Sequence, residues 1–208
     1  MTAQTPSPPT SVPARGFREW VFGHRLPIGL LVVGFAALVV QPRPAFGGWQ
    51  TAITAAAITL ILVGLAVRAW AGGCAGEHTR EATISAPLLV TGGPFAYVRN
   101  PIYCASVVLG AGMVMLVGDP VLLALYAAVF IFLYSAIVPA EEKFLHAKFG
   151  SAYEKYCSAV PRTWPRSTPW RGAGPVAFAC RAILGELRLG LVLGGIYGLL
   201  RLGAWLRM

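Results

Sequence analysis

The sequence predicts an all-α protein, a polytopic membrane helical bundle with about five transmembrane helices. Three observations point there. Of the 208 residues, 56% are hydrophobic and 12% charged, too little polar surface to coat a soluble globule. Several runs of bilayer length carry no charge at all. The basic residues, which give a net charge of +9, are confined to particular segments and do not spread over a nucleic-acid-binding face.

Taken in order, residues 1–16, "MTAQTPSPPTSVPARG", are rich in proline, serine and threonine and lack the apolar core of a signal peptide, so a disordered tail is expected. Residues 17–208 show no internal repeat and are expected to form a single membrane domain. The first span is placed at residues 26–41. The second is placed at residues 51–67, a run of 17 uncharged positions that ends before Arg68. The segment "RAWAGGCAGEHTREATISAPLLVTGGPFAYVRNP" that follows is too glycine-rich for one long helix and is expected to be a structured loop or re-entrant cap. Within it, "PLLVTGGPF" reads as a short extended piece closed by a Gly-Gly-Pro turn.

A third span is placed at residues 101–118, with Asn100 as N-cap and Pro101 at the first helical position. Asp119 and Pro120 then form a tight turn into a fourth span, residues 120–140, with 21 uncharged positions before Glu141. The stretch "FGSAYEKYCSAVPRTWP" is expected to contain a short amphipathic helix. A further helix is expected at about residues 176–206, where Arg201 leaves open a fifth span with a snorkelling arginine or a helix in the interface.

Arg15, Arg18 and Arg25 precede the first span; Arg68, Arg80 and Arg99 lie between the second and third; Lys143, Lys148, Lys155, Arg162, Arg166, Arg171, Arg181 and Arg188 follow the fourth. The positive-inside rule puts these segments in the cytoplasm. Cys74, Cys104, Cys157 and Cys180 show no paired spacing and read as reduced thiols, and His24, His78 and His146 lack metal-ligand spacing, so no metal site is expected.

The hairpin of spans three and four brings Arg99, Asn100 and Tyr103 close to Glu141 and Glu142. Adjacent carboxylates at a membrane boundary are costly unless a cation answers them, and Arg99 is placed to do so. The alternative is a solvated helix end with Lys143 and Lys148 as partners. Phe95, Tyr97 and Tyr103 likewise read either as interfacial belt aromatics or as pocket walls.

The order "LVTGGPFAYVRNPIY", an uncharged helical hairpin, "EEKFL", then "FGSAYEKYCSAVPR" resembles the isoprenylcysteine carboxyl methyltransferase (ICMT) family and the related phospholipid methyltransferases, over about residues 50–166. The resemblance implies an integral membrane methyltransferase that uses S-adenosylmethionine without a Rossmann motif; no GxGxxG follows a strand here. It implies a cytoplasm-facing cofactor pocket lined by Leu89, Val90, Phe95, Tyr97, Arg99, Asn100, Pro101, Tyr103, Glu141 and Glu142, with Arg99 and Glu142 as catalytic residues, and a lipophilic or lipid acceptor carrying a carboxylate or an amine. Aromatic faces and carboxylates suit a sulfonium and an ammonium, and an arginine suits the cofactor's carboxylate.

The chain departs from the family pattern in two places. Asn100 stands where many members have histidine. Ile137 stands where the eukaryotic prenylcysteine enzymes have an arginine one turn before the glutamate, which argues against a prenylcysteine carboxylate as acceptor. High alanine, glycine and arginine usage points to a bacterial inner membrane. Two other readings remain open at this level. One is a membrane reductase of the sterol reductase type, whose NADPH would call for several basic residues around the pocket. The other is a non-enzymatic membrane scaffold, whose Arg-Asn-Pro and Glu-Glu clusters serve only as caps and anchors.

Overall fold

The computed structural model describes residues 49–76 and 88–205, and its regular structure there is wholly helical. The helices are α1 (Gln50–Ala75), α2 (Pro101–Val117), α3 (Pro120–Phe149), α4 (Ser151–Ala159) and α5 (Arg181–Trp205), with a short 3₁₀ turn at Gly93–Ala96. The expected tail at residues 1–16, the expected span at residues 26–41 and residues 77–87 of the expected loop or re-entrant cap lie outside the described residues. Among the described residues, α1, α3 and α5 contain stretches long and apolar enough to cross a membrane, while α2 is shorter. The expected helical membrane bundle is the architecture found.

The α2–α3 hairpin forms as its sequence requires. Gly118, at φ 77°, ends α2 in the left-handed region that glycine enters without steric cost. Asp119 then caps α3: its carboxylate accepts from the Val121 N–H at 2.8 Å and the Leu122 N–H at 3.2 Å. Pro120 follows at the first helical position, where its missing N–H costs nothing.

α1 packs most extensively on α2. Between lipid-embedded helices there is little hydrophobic drive, so close approach of small residues supplies the attraction. A Cβ on Gly64 of α1 would lie 2.6 Å from the Leu109 Cβ, and one on Gly112 of α2 would lie 2.7 Å from the Ala57 carbonyl oxygen. Neither helix can move closer or tolerate more.

Three boundaries differ from expectation. α1 does not stop before Arg68 but continues through Gly72 and Gly73 to Ala75, so Arg68 is a helical residue and not a loop cation. Its charge is answered within the bundle: Arg68 Nε lies 2.8 Å from Glu186 Oε2 on α5, and Arg68 also donates to the Ser106 hydroxyl of α2. The last helix begins at Arg181 and not near residue 176, because the preceding residues pack back on α1, with the Ala179 N–H donating to the Gly73 carbonyl at 2.9 Å. α3 continues two turns past Glu141 and Glu142 to Phe149, so these carboxylates are not at a helix end.

Glu186 is 7% exposed, and Arg68 chelates it through two nitrogens. Removing Glu186 leaves the shielded Arg68 guanidinium without its carboxylate, so Glu186→Leu alone is expected to destabilise the bundle by about 3 kcal/mol. The Arg68→Leu/Glu186→Leu double variant is expected to recover most of that loss. Thermal denaturation of the three proteins in detergent checks it; additive losses would contradict the pairing.

Candidate functional site

The site is built on the ten residues that lead into α2. From Thr91 to Asn100 burial alternates: Gly92, Pro94, Ala96, Val98 and Asn100 are buried, and Phe95, Tyr97 and Arg99 between them are partly exposed. The Gly93–Ala96 turn starts this course, with Gly93 at φ 59° and its Cα close enough that a Cβ would come 2.6 Å from the Cys74 sulfur of α1. Gly93 is therefore required by both backbone conformation and space. Tyr97 meets Trp70 of α1 with ring centroids 6.3 Å apart.

The opposite wall comes from the chain after α3. Tyr153, Tyr156 and Val160 form a buried cluster against which Leu89 and Trp170 pack, and the Tyr156 hydroxyl donates to the Phe95 carbonyl at 2.7 Å. The segment after α4 then runs beside the lead-in to α2. The Arg99 N–H donates to the Pro161 carbonyl at 2.9 Å, and the Arg166 and Trp170 N–H groups donate to the Tyr97 and Ala96 carbonyls at 3.0 and 2.9 Å. These bonds fix Tyr97 and Arg99 from both sides.

Charge converges at one carboxylate. Arg99 lies 3.3 Å from Glu142 Oε1, and Arg162 holds the same carboxylate through Nε at 3.1 Å and through its terminal nitrogen. Glu142 is 12% exposed and Arg99 16%, so this pair is shielded from bulk water and stronger than a surface bridge, while Arg162 closes it from the more exposed side. Bonding to Glu142 raises the Arg162 guanidinium above its ordinary value. Arg99 also donates to the Cys157 sulfur at 2.9 Å, while its Nε is buried with no hydrogen-bond partner. Next to this group, the Tyr103 hydroxyl donates to Glu141 Oε1 at 2.7 Å.

The structure thus brings together Arg99, Tyr103, Glu141 and Glu142, as the hairpin argument expected. Pro101 is fully buried at the first position of α2. Leu89 belongs to the tyrosine cluster, Phe95 contributes its carbonyl to Tyr156, and Val90 lies half-buried in the same approach. Asn100 occupies the N-cap position, but its side chain does not cap the helix; it donates to the Arg162 carbonyl at 3.3 Å and so ties the following segment to α2. Ile137 is 3% exposed, packed by Tyr103 and Leu133.

Sequence reasoning missed Arg162, counted there as one more loop cation, and Tyr156 and Cys157, read only as part of a short amphipathic helix and as a reduced thiol. The Val160-Pro161-Arg162 turn that closes α4 is the local signal that could have pointed to Arg162.

Burial raises the phenols of Tyr153 and Tyr156 above the ordinary tyrosine value; Glu142 pushes Tyr153 further up, while Arg99 partly offsets the rise at Tyr156. A raised acid holds its proton more tightly when folded. The corresponding stability is complete below the unfolded value of about 10 and is lost as pH climbs past it toward the folded value. The thermal midpoint is therefore expected to hold to about pH 9.5 and fall above about pH 10, and Tyr156→Phe to flatten part of that fall. An unchanged alkaline limb in Tyr156→Phe would contradict the assignment.

Comparison with known proteins yields a family model for residues 52–152, described as phospholipid methyltransferase. The chain is similar to the protein-S-isoprenylcysteine O-methyltransferase of Schizosaccharomyces pombe, 38% identical over 78 residues, which is 38% of this chain and 33% of that protein. It is also similar to the cobalt-zinc-cadmium resistance protein CzcN of Cupriavidus metallidurans, 25% identical over 174 residues, 81% of this chain and 76% of that protein. The match to the yeast enzyme thus spans about a third of its length. No solved structure matches.

Proposed function

We propose that this chain, which over residues 52–152 matches the phospholipid methyltransferase family, is an integral membrane methyltransferase that uses S-adenosylmethionine to methylate a lipophilic acceptor. Its site would face the cytoplasm, where the cofactor is dissolved. The observation that carries the reading is the convergence of Arg99 and Glu142, 3.3 Å apart, at the mouth of an apolar helical hairpin.

The residues present fit the cofactor. Arg99 Nε is a buried donor that the protein leaves unpaired, at a cost of about 1–3 kcal/mol that an accepting carboxylate would relieve. Glu141, which accepts from the neutral Tyr103 hydroxyl, supplies the negative charge an ammonium needs, and the partly exposed rings of Phe95 and Tyr97 suit a sulfonium. When bound, the cofactor supplies an electrophilic methyl group whose carbon–sulfur bond breaks as the acceptor's oxygen or nitrogen lone pair forms the new bond. The protein's own part is alignment: the backbone bonds at Ala96, Tyr97 and Arg99 hold the donor side rigid, and the aromatic and aliphatic residues around Ile137 exclude water.

A 2′-phosphate of NADPH would need uncommitted cations. Arg162 is instead engaged by Glu142 and Arg166 by the Ala159 carbonyl at 2.8 Å, which leaves a single open donor, Arg99 Nε, too few for a phosphate dianion. A scaffold would have no use for a buried unpaired donor.

A lipophilic acceptor is supported by the position of the site beside the apolar helices α2 and α3, and the buried Ile137 leaves no cation there for an acceptor carboxylate. The test is incubation of purified protein with methyl-labelled S-adenosylmethionine and a total membrane lipid extract, followed by mass identification of the product. Label in a discrete lipid species is expected; no incorporation above that of Arg99→Ala would overturn the reading.

A further inference from the structure

Residues 161–180 link α4 to α5 and form no helix, yet they are tied down along their length. The Asn100 side chain holds the Arg162 carbonyl, and the Cys104 thiol donates to the Thr163 carbonyl at 3.3 Å. Further on, the Gly174 N–H donates to the Thr91 hydroxyl at 3.0 Å and the Ala179 N–H to the Gly73 carbonyl at 2.9 Å. The segment is therefore a strap across the ends of α1 and α2. One end lies on Cys104, in the first turn of a helix that is charge-free to Val117. At the other, the Phe178 ring fills the place a Cβ on Gly73 of α1 would take.

Two tryptophans of this strap are treated oppositely. Trp170 packs into the tyrosine cluster, its ring centroid 5.7 Å from that of Tyr156, whereas Trp164 is 83% exposed. Phe178, at the α1 end, is also left partly outside. Large aromatic rings held out by a firmly bonded backbone, level with the ends of apolar helices, match the layer between head groups and hydrocarbon, where indoles are favoured. The charge agrees. Residues 161–181 contain Arg162, Arg166, Arg171 and Arg181 and no acidic residue. Glu142 neutralises Arg162, but the Ala159 carbonyl that Arg166 bonds carries no charge, and Arg171 is exposed.

We infer that the strap is seated in the head-group layer of the bilayer, with Trp164 at the edge of the hydrocarbon and Arg166 and Arg171 toward the phosphates of anionic lipids. A soluble acidic peptide fits less well, because it offers no hydrocarbon to Trp164 and Phe178. Since the strap also carries the Pro161 and Arg162 carbonyls that hold Arg99 and Asn100, its lipid contact fixes the depth of the Arg99–Glu142 site. The inference goes beyond methyl transfer and does not depend on it.

The test reconstitutes the full chain into phosphatidylcholine nanodiscs doped with an acyl-brominated lipid, which quenches indoles that touch hydrocarbon. The difference between the unsubstituted protein and Trp164→Phe isolates that one ring. Trp164 is expected to be quenched, and brominated phosphatidylglycerol to associate about fivefold more strongly than brominated phosphatidylcholine, a factor that one arginine near an anionic surface supplies. Arg171→Gln is expected to lower that preference about twofold, and raised salt to remove most of it. Trp164→Phe is expected to leave the thermal midpoint and cofactor Kd unchanged. Equal quenching of the unsubstituted protein and Trp164→Phe would put the ring in water and overturn the inference; so would equal association of the two lipids, or a preference that Arg171→Gln leaves intact. Loss of Trp164 quenching on addition of polyglutamate would mark an acidic peptide as the partner and overturn it likewise. Absence of cofactor binding by the unsubstituted protein sinks the functional reading and leaves this inference standing.

Discussion

Arg99→Ala is expected to lower kcat/KM for methyl transfer by about 100- to 1,000-fold, mostly through weakened cofactor binding. The size follows from the shielded charge pair that Arg99 would form with the cofactor's carboxylate. Removing one partner of a shielded, hydrogen-bonded charge pair costs about 2–5 kcal/mol, and each 1.4 kcal/mol is tenfold in affinity. Arg99 is held by its own N–H on the Pro161 carbonyl and by Glu142 and Cys157 on its guanidinium, so no neighbouring side chain can take its place. Arg162 would still neutralise Glu142 in the variant, which is why the fold should survive while binding is lost. Arg99→Lys is expected to recover only part of the loss, because an ammonium lacks the planar fork. Equilibrium binding of labelled cofactor together with initial rates separates the two contributions. A thermal midpoint that collapses in parallel with activity would show that Arg99 is structural.

Gly112→Val is expected to destabilise the bundle by about 3 kcal/mol, with a loss of folded protein on extraction. The new Cβ would stand 2.7 Å from the Ala57 carbonyl oxygen, a backbone atom that cannot swing aside, and 2.9 Å from Ile61. α1 and α2 would have to separate, and α1 carries Trp70 and Cys74, which support Tyr97 and Gly93. Loss of stability at Gly112 therefore reaches the site through α1. Gly194→Ala on α5, where a Cβ meets nothing within 4 Å, is the contrasting substitution, expected to be neutral or to stabilise by about 0.5–1 kcal/mol. Equal destabilisation at the two positions would contradict the packing account.

The parts of this structure legible in the sequence are those governed by local chemistry. The Asn100-Pro101 start, the Gly118-Asp119-Pro120 turn and the α4 helix all follow from residues within a few positions of one another, and they fall where expected. The pairing of Tyr103 and Arg99 with Glu141 and Glu142 was legible because a tight hairpin fixes which ends are neighbours. What was not legible depends on partners far along the chain. Arg68 looks like the end of a span until Glu186, 118 positions later, supplies its counter-charge. Arg162 looks like an ordinary loop cation until the segment after α4 folds back under Asn100, and Asn100 gives up its capping role to hold that fold-back. The family resemblance pointed to the segment around Arg99 and said nothing of Arg162 as a second cation on Glu142.

The central claim is that the Arg99–Glu142 site holds S-adenosylmethionine. Equilibrium binding of the labelled cofactor to purified, detergent-solubilised protein tests it most directly. Saturable binding is expected, displaced by S-adenosylhomocysteine but not by NADPH and weakened at least tenfold in Arg99→Ala. No saturable binding, displacement by NADPH, or an affinity unchanged in Arg99→Ala would contradict it.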